Sequence, residues 1–184
     1  MIADIIEIPN VFKNPEHVFE LAKQQTYYRI ENNPVDKNTD INYVGSRTLP
    51  IHNNDLAEEL FSKLLSETVR HKTHINGDYI IKTKFHSLTK EDIFVRDNKW
   101  LHQDNSIMAG VVYLNDVELE NPKDHGTLII KNGVEINIPY VYNTLVMYRS
   151  DYTHAAQSGF GDCIANSRLT FNFFFDAIKL ELHI

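Results

Sequence analysis

The sequence predicts an α+β fold, a jelly-roll (double-stranded β-helix) core with N-terminal helices packed on one face, and three observations carry the prediction. The N-terminal part holds helix-start chemistry followed by apolar residues at helical spacing. From Gly77 onward the texture changes to short runs rich in Ile, Val, Tyr, Phe and Thr, cut by Asn, Asp, Gly and Pro. Between two of these runs, Lys131-Asn132-Gly133 supplies residues that tolerate the positive φ angles of a tight hairpin turn. Helices first and strands afterwards put the helices on one face of an antiparallel sheet or double sheet.

Taken in order, Ile2 to Ile8 alternates weakly and reads as a strand. Asn14, Pro15 and Glu16 combine a capping side chain, a proline for the first turn and an acid for the positive helix end, so a helix is expected to about Tyr28. Asn53-Asn54-Asp55 opens a second helix in which Leu56, Ala57, Leu60, Phe61, Leu64, Leu65 and Val69 make one apolar face. Strands are expected at roughly 78–88, 107–115, 126–130, 134–138, 144–149 and 167–176. No repeat, low-complexity tract or Pro/Gly/Ser linker divides the chain. Its 184 residues are therefore read as one domain, 1–184, with helical support over about 14–72 and the jelly-roll core over about 78–178.

Composition narrows the function. The net charge of −7 and pI near 5.7 oppose a protein that holds nucleic acid by neutralising phosphates, so no nucleic-acid partner is expected. No run approaches the roughly 18 apolar residues of a membrane span, and no membrane association is expected. The start MIADIIEIPN lacks a basic n-region and a small-residue cleavage site. The single cysteine, Cys163, excludes an internal disulfide framework and cysteine-rich zinc sites, and suits a reducing compartment. A cytoplasmic location is the expectation.

His102-Gln103-Asp104 projects two metal-ligand side chains from the same face of an extended segment. With 9 histidines and 25 acidic residues in 184, about one such pair arises by chance, so the triplet alone carries little. The order of features around it carries more. Trp100-Leu101-His102-Gln103-Asp104 is followed by Ala109 to Asn115 ending in Tyr113-Leu114-Asn115, by Gly126-Thr127-Leu128, by Asn143 to Tyr148, by His154, and by Arg168-Leu169-Thr170.

This ordered set, over roughly residues 78–176, resembles the prolyl 4-hydroxylase-like branch of the 2-oxoglutarate/Fe(II)-dependent oxygenases. The resemblance implies that His102, Asp104 and His154 hold Fe(II), two neutral imidazoles and a carboxylate forming a facial triad with open positions for 2-oxoglutarate and O2. It also implies oxidative decarboxylation of 2-oxoglutarate to succinate, coupled to hydroxylation of a substrate C–H bond. His154 is preferred as the distal ligand because it directly follows a predicted strand. His125 is the rival, in a loop where the family has the first glycine of a Gly-Gly turn, and is expected near the entrance. His86 is expected as a hydrogen-bonding core or pocket residue.

On the last strand Arg168, Thr170 and Asn172 face one way and Leu169, Phe171 and Phe173 the other, a polar pocket face backed by helices. A guanidinium grips a carboxylate through two parallel hydrogen bonds, which suits Arg168 to the distal carboxylate of 2-oxoglutarate, with Thr170 adding a hydroxyl. By resemblance, Tyr113 is the second cosubstrate anchor and Leu128 packs against the cosubstrate chain. Two stretches, Tyr27 to Thr48 and Thr89 to Trp100, are expected to carry substrate-recognition loops.

Three substrate classes are open to such an enzyme. A protein residue such as proline is one and a small molecule or free amino acid another. The nucleic-acid demethylases carry a second arginine six residues after the first, where this chain has Phe174. A non-catalytic jelly-roll module that binds a ligand or metal is the reading from a different class.

Overall fold

The computed structural model describes residues 5–35, 43–53, 55–60, 62–63, 79–92 and 100–177. Among these residues nine strands form two antiparallel sheets: β1 (Ile5–Pro9), β2 (Ser46–Arg47), β3 (Tyr79–Leu88), β4 (Met108–Tyr113), β5 (Thr127–Lys131), β6 (Val134–Ile138), β7 (Thr144–Arg149), β8 (Thr153–Ala156) and β9 (Arg168–Ala177). The larger sheet runs β1-β7-β4-β9-β3-β2 and the smaller β6-β5-β8. This is the jelly-roll arrangement that the run of strands predicts.

The larger sheet is covered on both faces, which is why β4 and β7 read as nearly continuous apolar runs rather than alternating ones. One face carries Met108, Val112, Leu145, Met147, Leu169, Phe171 and Phe173, packed with Val18, Ala22, Leu56 and Leu60 of the helical segments. The other carries Ala109, Val111, Tyr113, Val146 and Tyr148, which meet Ile129 and Ile138 of the smaller sheet inside the roll. The alternation of β9 is as its sequence predicts.

Helix α1 (Pro15–Lys23) opens as expected, with the Asn14 side chain accepting from the His17 N–H at 3.1 Å. It ends at Lys23, five residues short of Tyr28. There the Tyr27 hydroxyl donates to the Ala22 carbonyl, and the Tyr28 backbone pairs with Arg47 in both directions, so a strand-like bridge displaces the last helical turn. The second helix covers residues 55–60 and 62–63, with Asn53 accepting from the Leu56 N–H at 3.1 Å. Its expected continuation to Val69 lies outside the described residues, as do Ile2 to Asp4.

The Asn-Gly hairpin forms between β5 and β6, with φ of 52° at Asn132 and 77° at Gly133. Two strands escape the sequence pattern. β2 has two residues and β8 four, too short for any periodicity to show.

Candidate metal centre

β8 organises the site. Its register sets His154 opposite Ile129 of β5, and the alternation turns the His154 side chain inward, where it is 4% exposed. On its other edge the His154 backbone exchanges both hydrogen bonds with His102, at 2.9 and 3.1 Å. Asp104 is held two residues further on by its N–H to the Ser150 carbonyl at 3.0 Å. The distal histidine therefore belongs to a strand, not to a loop, and its backbone fixes the position of the His-x-Asp segment directly.

The imidazole rings of His102 and His154 lie 4.4 Å apart, and one candidate ligand atom from each of His102, Asp104 and His154 falls within 4.8 Å of the others. The His154 Nε2 is 3.2 Å from Asp104 Oδ2 and the His102 Nε2 3.8 Å from Oδ1. Each Nδ1 meets the carbonyl two residues earlier, Trp100 for His102 and Tyr152 for His154, both at 2.9 Å. A proton on Nδ1 donating to that carbonyl leaves the Nε2 lone pair facing the carboxylate, which is how metal-ligating histidines are oriented. The donor set therefore fits a divalent transition metal.

Loss of hydration and the neighbouring imidazole of His154 hold the His102 proton affinity below the usual histidine range, so its neutral form prevails at neutral pH. Burial alone disfavours the Asp104 carboxylate. Its close contact with the His154 and His102 imidazoles and the positive field of Arg47 outweigh it, and Asp104 ionises below the usual carboxylate range.

Arg168 lines the same cavity and is 1% exposed. Its Nε donates to the His125 carbonyl at 2.6 Å and one terminal nitrogen to the Gly126 carbonyl at 2.7 Å. Those bonds engage two of the five guanidinium N–H groups. Among the described residues Arg168 makes no ion pair. Burial lowers its proton affinity, yet a guanidinium stays charged, so the cavity wall holds a desolvated cation.

Asn115 helps to position it. The buried Asn115 side chain donates to the Ala165 and Ser167 carbonyls at 3.1 and 3.0 Å, tying the end of β4 to the segment entering β9. Gly126 has a steric reason as well, since a Cβ there would lie 1.8 Å from the Ile138 carbonyl oxygen.

The other expected residues fall in varied places. Tyr113 is fully buried beside Arg168, its ring centre 5.5 Å from the guanidinium carbon, and its hydroxyl meets the Thr127 hydroxyl at 2.8 Å. Thr127, rather than Tyr113, is among the cavity-lining residues. Thr170 turns its hydroxyl to Asn172 Oδ1 at 2.6 Å, and Asn172 reaches the cavity in its place. Leu128 does not reach the cavity, because strand alternation puts it on the face of β5 opposite Thr127 and Ile129. His125 bonds the Ser158 carbonyl through Nδ1 and packs on Phe160, away from the triad. His86 lines the cavity with its Nε2 2.6 Å from the Val44 carbonyl, so it serves the wall and not the metal group.

Tyr43, Arg47 and Tyr148 also line the cavity, and of these Tyr148 lies outside the stretches expected to carry recognition loops. Trp100 and Phe174 join them there. The stretches expected to carry recognition loops thus contribute Tyr43, Arg47 and Trp100, whereas 36–42 and 93–99 lie outside the described residues.

No protein-family model matches this sequence, and no curated protein matches it. Solved structures do match its fold. A 2OG-Fe(II) oxygenase family oxidoreductase from Burkholderia pseudomallei aligns over 94% of this chain and 84% of its own, with a TM-score of 0.59 and 11% identity. HygX from Streptomyces hygroscopicus, with nickel, 2-oxoglutarate and hygromycin B bound, aligns over 95% and 83%, with a TM-score of 0.60 and 13% identity. A Pseudomonas putida prolyl-4-hydroxylase aligns over 97% and 95%, with a TM-score of 0.57 and 15% identity. The chain has the fold of these oxygenases.

Proposed function

We propose that this chain is an Fe(II)- and 2-oxoglutarate-dependent oxygenase that hydroxylates a C–H bond of its substrate. One observation carries the reading: a single cavity joins the His102, Asp104 and His154 group to the buried cation of Arg168. A metal held by one end of a ligand and a guanidinium waiting for a carboxylate at the other match the two ends of 2-oxoglutarate. The shared fold supports the same reading, since HygX, a neighbour in structure, holds nickel with 2-oxoglutarate in two structures and iron in another.

In this scheme His102 and His154 present neutral Nε2 atoms and Asp104 its carboxylate to the iron. Arg168 takes the distal carboxylate, steadied by the carbonyls of His125 and Gly126, with the Tyr113–Thr127 hydroxyl pair beside it. When bound, iron and 2-oxoglutarate supply the reduction of O2, with succinate and carbon dioxide leaving as the substrate C–H becomes C–OH. Ala109, Val111, Tyr148 and Phe174 form an apolar wall that limits water beside the metal. Phe174 stands where an arginine would favour nucleic acid, so the substrate is a protein residue such as proline or a small molecule such as a free amino acid.

The test is anaerobic addition of Fe(II) and 2-oxoglutarate to the purified protein. A visible metal-to-ligand charge-transfer band is expected, absent in His102→Ala, and succinate should form on admission of air. A folded protein that gives neither band nor succinate overturns the reading. A non-catalytic module would bind metal yet release no succinate.

A further inference from the structure

His86 and Asn172 line the cavity, and the chemistry above uses neither. His86 of β3 stands opposite Thr170 of β9, and Lys84 opposite Asn172, so strand alternation puts His86, Thr170 and Asn172 on one face of the sheet. His86 and Asn172 are diagonal neighbours across that pair, a placement that sets two residues about 7–8 Å apart, within reach of one ligand group. His86 is 5% exposed.

Each side chain is fixed by one neighbour, and that bond decides which kind of atom remains. His86 Nε2 lies 2.6 Å from the Val44 carbonyl, which can only accept, so Nε2 carries the proton of the ring and donates it. Gly45, at φ 77°, lets the turn after Val44 close on β3, where a Cβ would lie 2.3 Å from the Ser87 carbonyl oxygen. Burial holds the proton affinity of His86 well below the usual histidine range, so the ring is neutral and Nδ1 is a lone-pair acceptor. At Asn172 the Thr170 hydroxyl lies 2.6 Å from Oδ1. That spacing is ordinary for O–H···O and short for N–H···O, so the amide oxygen faces Thr170 and Nδ2 keeps both its N–H groups. Among the described residues neither His86 Nδ1 nor Asn172 Nδ2 has a hydrogen-bond partner. Buried polar atoms are normally paired, so an acceptor beside a donor in this wall marks the place of a ligand.

We infer that the substrate presents a neutral amide edge, its N–H donating to His86 Nδ1 and its C=O accepting from Asn172 Nδ2, a specificity that rests on the oxygenase reading above. An amide carries a donor and an acceptor side by side without charge, as a residue in an antiparallel pair does toward its partner. An ammonium or carboxylate held by this pair would be a desolvated charge with no counter-charge from either side chain. Both a carboxamide side chain and a peptide main chain offer such an edge. The triad lines the same cavity, so holding the amide orients the rest of the substrate beside the metal.

Trp100 is the single tryptophan of the chain and lines this cavity, so its fluorescence reports occupancy without turnover. The full-length protein, loaded with Zn(II) and saturating 2-oxoglutarate, is titrated in two arms. Each replaces an amide by an ester, which keeps the carbonyl and loses the N–H. The side-chain arm compares N-acetyl methylamides of Asn and Gln with those of the Asp and Glu methyl esters. The main-chain arm compares blocked alanine dipeptides with their depsipeptide counterparts. In one arm or both, amides are expected to bind roughly tenfold or more tightly than esters. His86→Phe should abolish that preference, and His86→Gln, which can donate to Val44 and still accept, should keep part of it. Asn172→Leu should instead weaken amides and esters alike, on the order of tenfold, because both retain the carbonyl. None of these variants should change 2-oxoglutarate affinity. The inference is overturned if amides bind no better than esters in both arms, or if His86→Phe keeps the preference. It is equally overturned if Asn172→Leu leaves both affinities as they were, or if the variants weaken 2-oxoglutarate as much as the amides. Failure of the zinc protein to bind 2-oxoglutarate is a different result. It removes the oxygenase reading, and the same titrations with Zn(II) alone still decide whether His86 and Asn172 hold an amide.

Discussion

Replacing Arg168 by methionine separates its structural role from its role toward 2-oxoglutarate. Methionine has a similar linear volume and no charge, so the fully buried site stays filled. Two carbonyls lose a donor, but their fates differ. Gly126 keeps the Gln157 N–H at 3.0 Å, whereas the bond from Arg168 is the one observed at the His125 carbonyl. One orphaned acceptor costs about 1–3 kcal/mol. Against it stands the relief of a buried cation without an ion pair among the described residues, worth up to several kcal/mol. The two nearly cancel, leaving a net change within about 2 kcal/mol, or about 4–8 °C in Tm for a chain of this size. Binding behaves otherwise. Two charge-assisted hydrogen bonds at about 1.5–3 kcal/mol each predict a loss of about 3–6 kcal/mol, on the order of 10²- to 10⁴-fold in the Kd of 2-oxoglutarate. Zinc affinity, set by ligands that Arg168 does not touch, should stay within about twofold. Calorimetric titration of the zinc-loaded protein measures the first quantity and competition with a chromophoric chelator the second. A folded Arg168→Met protein that binds 2-oxoglutarate as the parent does, or whose zinc affinity falls in parallel, refutes the assignment.

Three further outcomes follow from the same geometry. His154→Ala should lower Zn(II) or Fe(II) affinity on the order of 100-fold or more in chelator competition, while His125→Ala, whose side chain points to Ser158, should leave it unchanged. Equal losses in the two variants would mean that the triad is misassigned. His86 is buried, and desolvation followed by the field of Arg47 holds its folded-state proton affinity well below that of an exposed histidine. The unfolded chain takes up this proton near pH 6.5, so the stability contribution is complete above that pH and falls below it, by about 1.4 kcal/mol per pH unit. Urea unfolding between pH 7 and 5 should be less pH-dependent in His86→Gln; parallel curves would contradict the buried neutral state. Gly126→Ala drives a methyl into the Ile138 carbonyl, so a loss of about 1–3 kcal/mol or more is expected on thermal unfolding. An unchanged transition would mean that the turn relaxes freely.

Legibility followed the range of the interactions. Caps, hairpin and the alternation of β9 depend on neighbours within a few residues, and Asn14, Asn132-Gly133 and Arg168 to Phe173 appear where local pattern predicts them. Tyr28 departs because its partner, Arg47, is distant in sequence, and that pairing outweighs one more helical turn. Leu128 departs because resemblance supplied its role and strand parity gave it the outer face.

The sequence by itself determined the class of fold, the order of the strands and the residue types capable of holding a metal and a carboxylate, because each is written in composition, spacing and local backbone chemistry. Only the tertiary structure decided that β8 exists, that its backbone clasps His102 to His154, and that Arg47 shares a wall with the triad. A four-residue and a two-residue strand have no periodicity of their own and persist through hydrogen bonds to distant partners. The cavity draws Arg47, His154 and Arg168, the first more than a hundred residues from the other two, to one surface through such pairings.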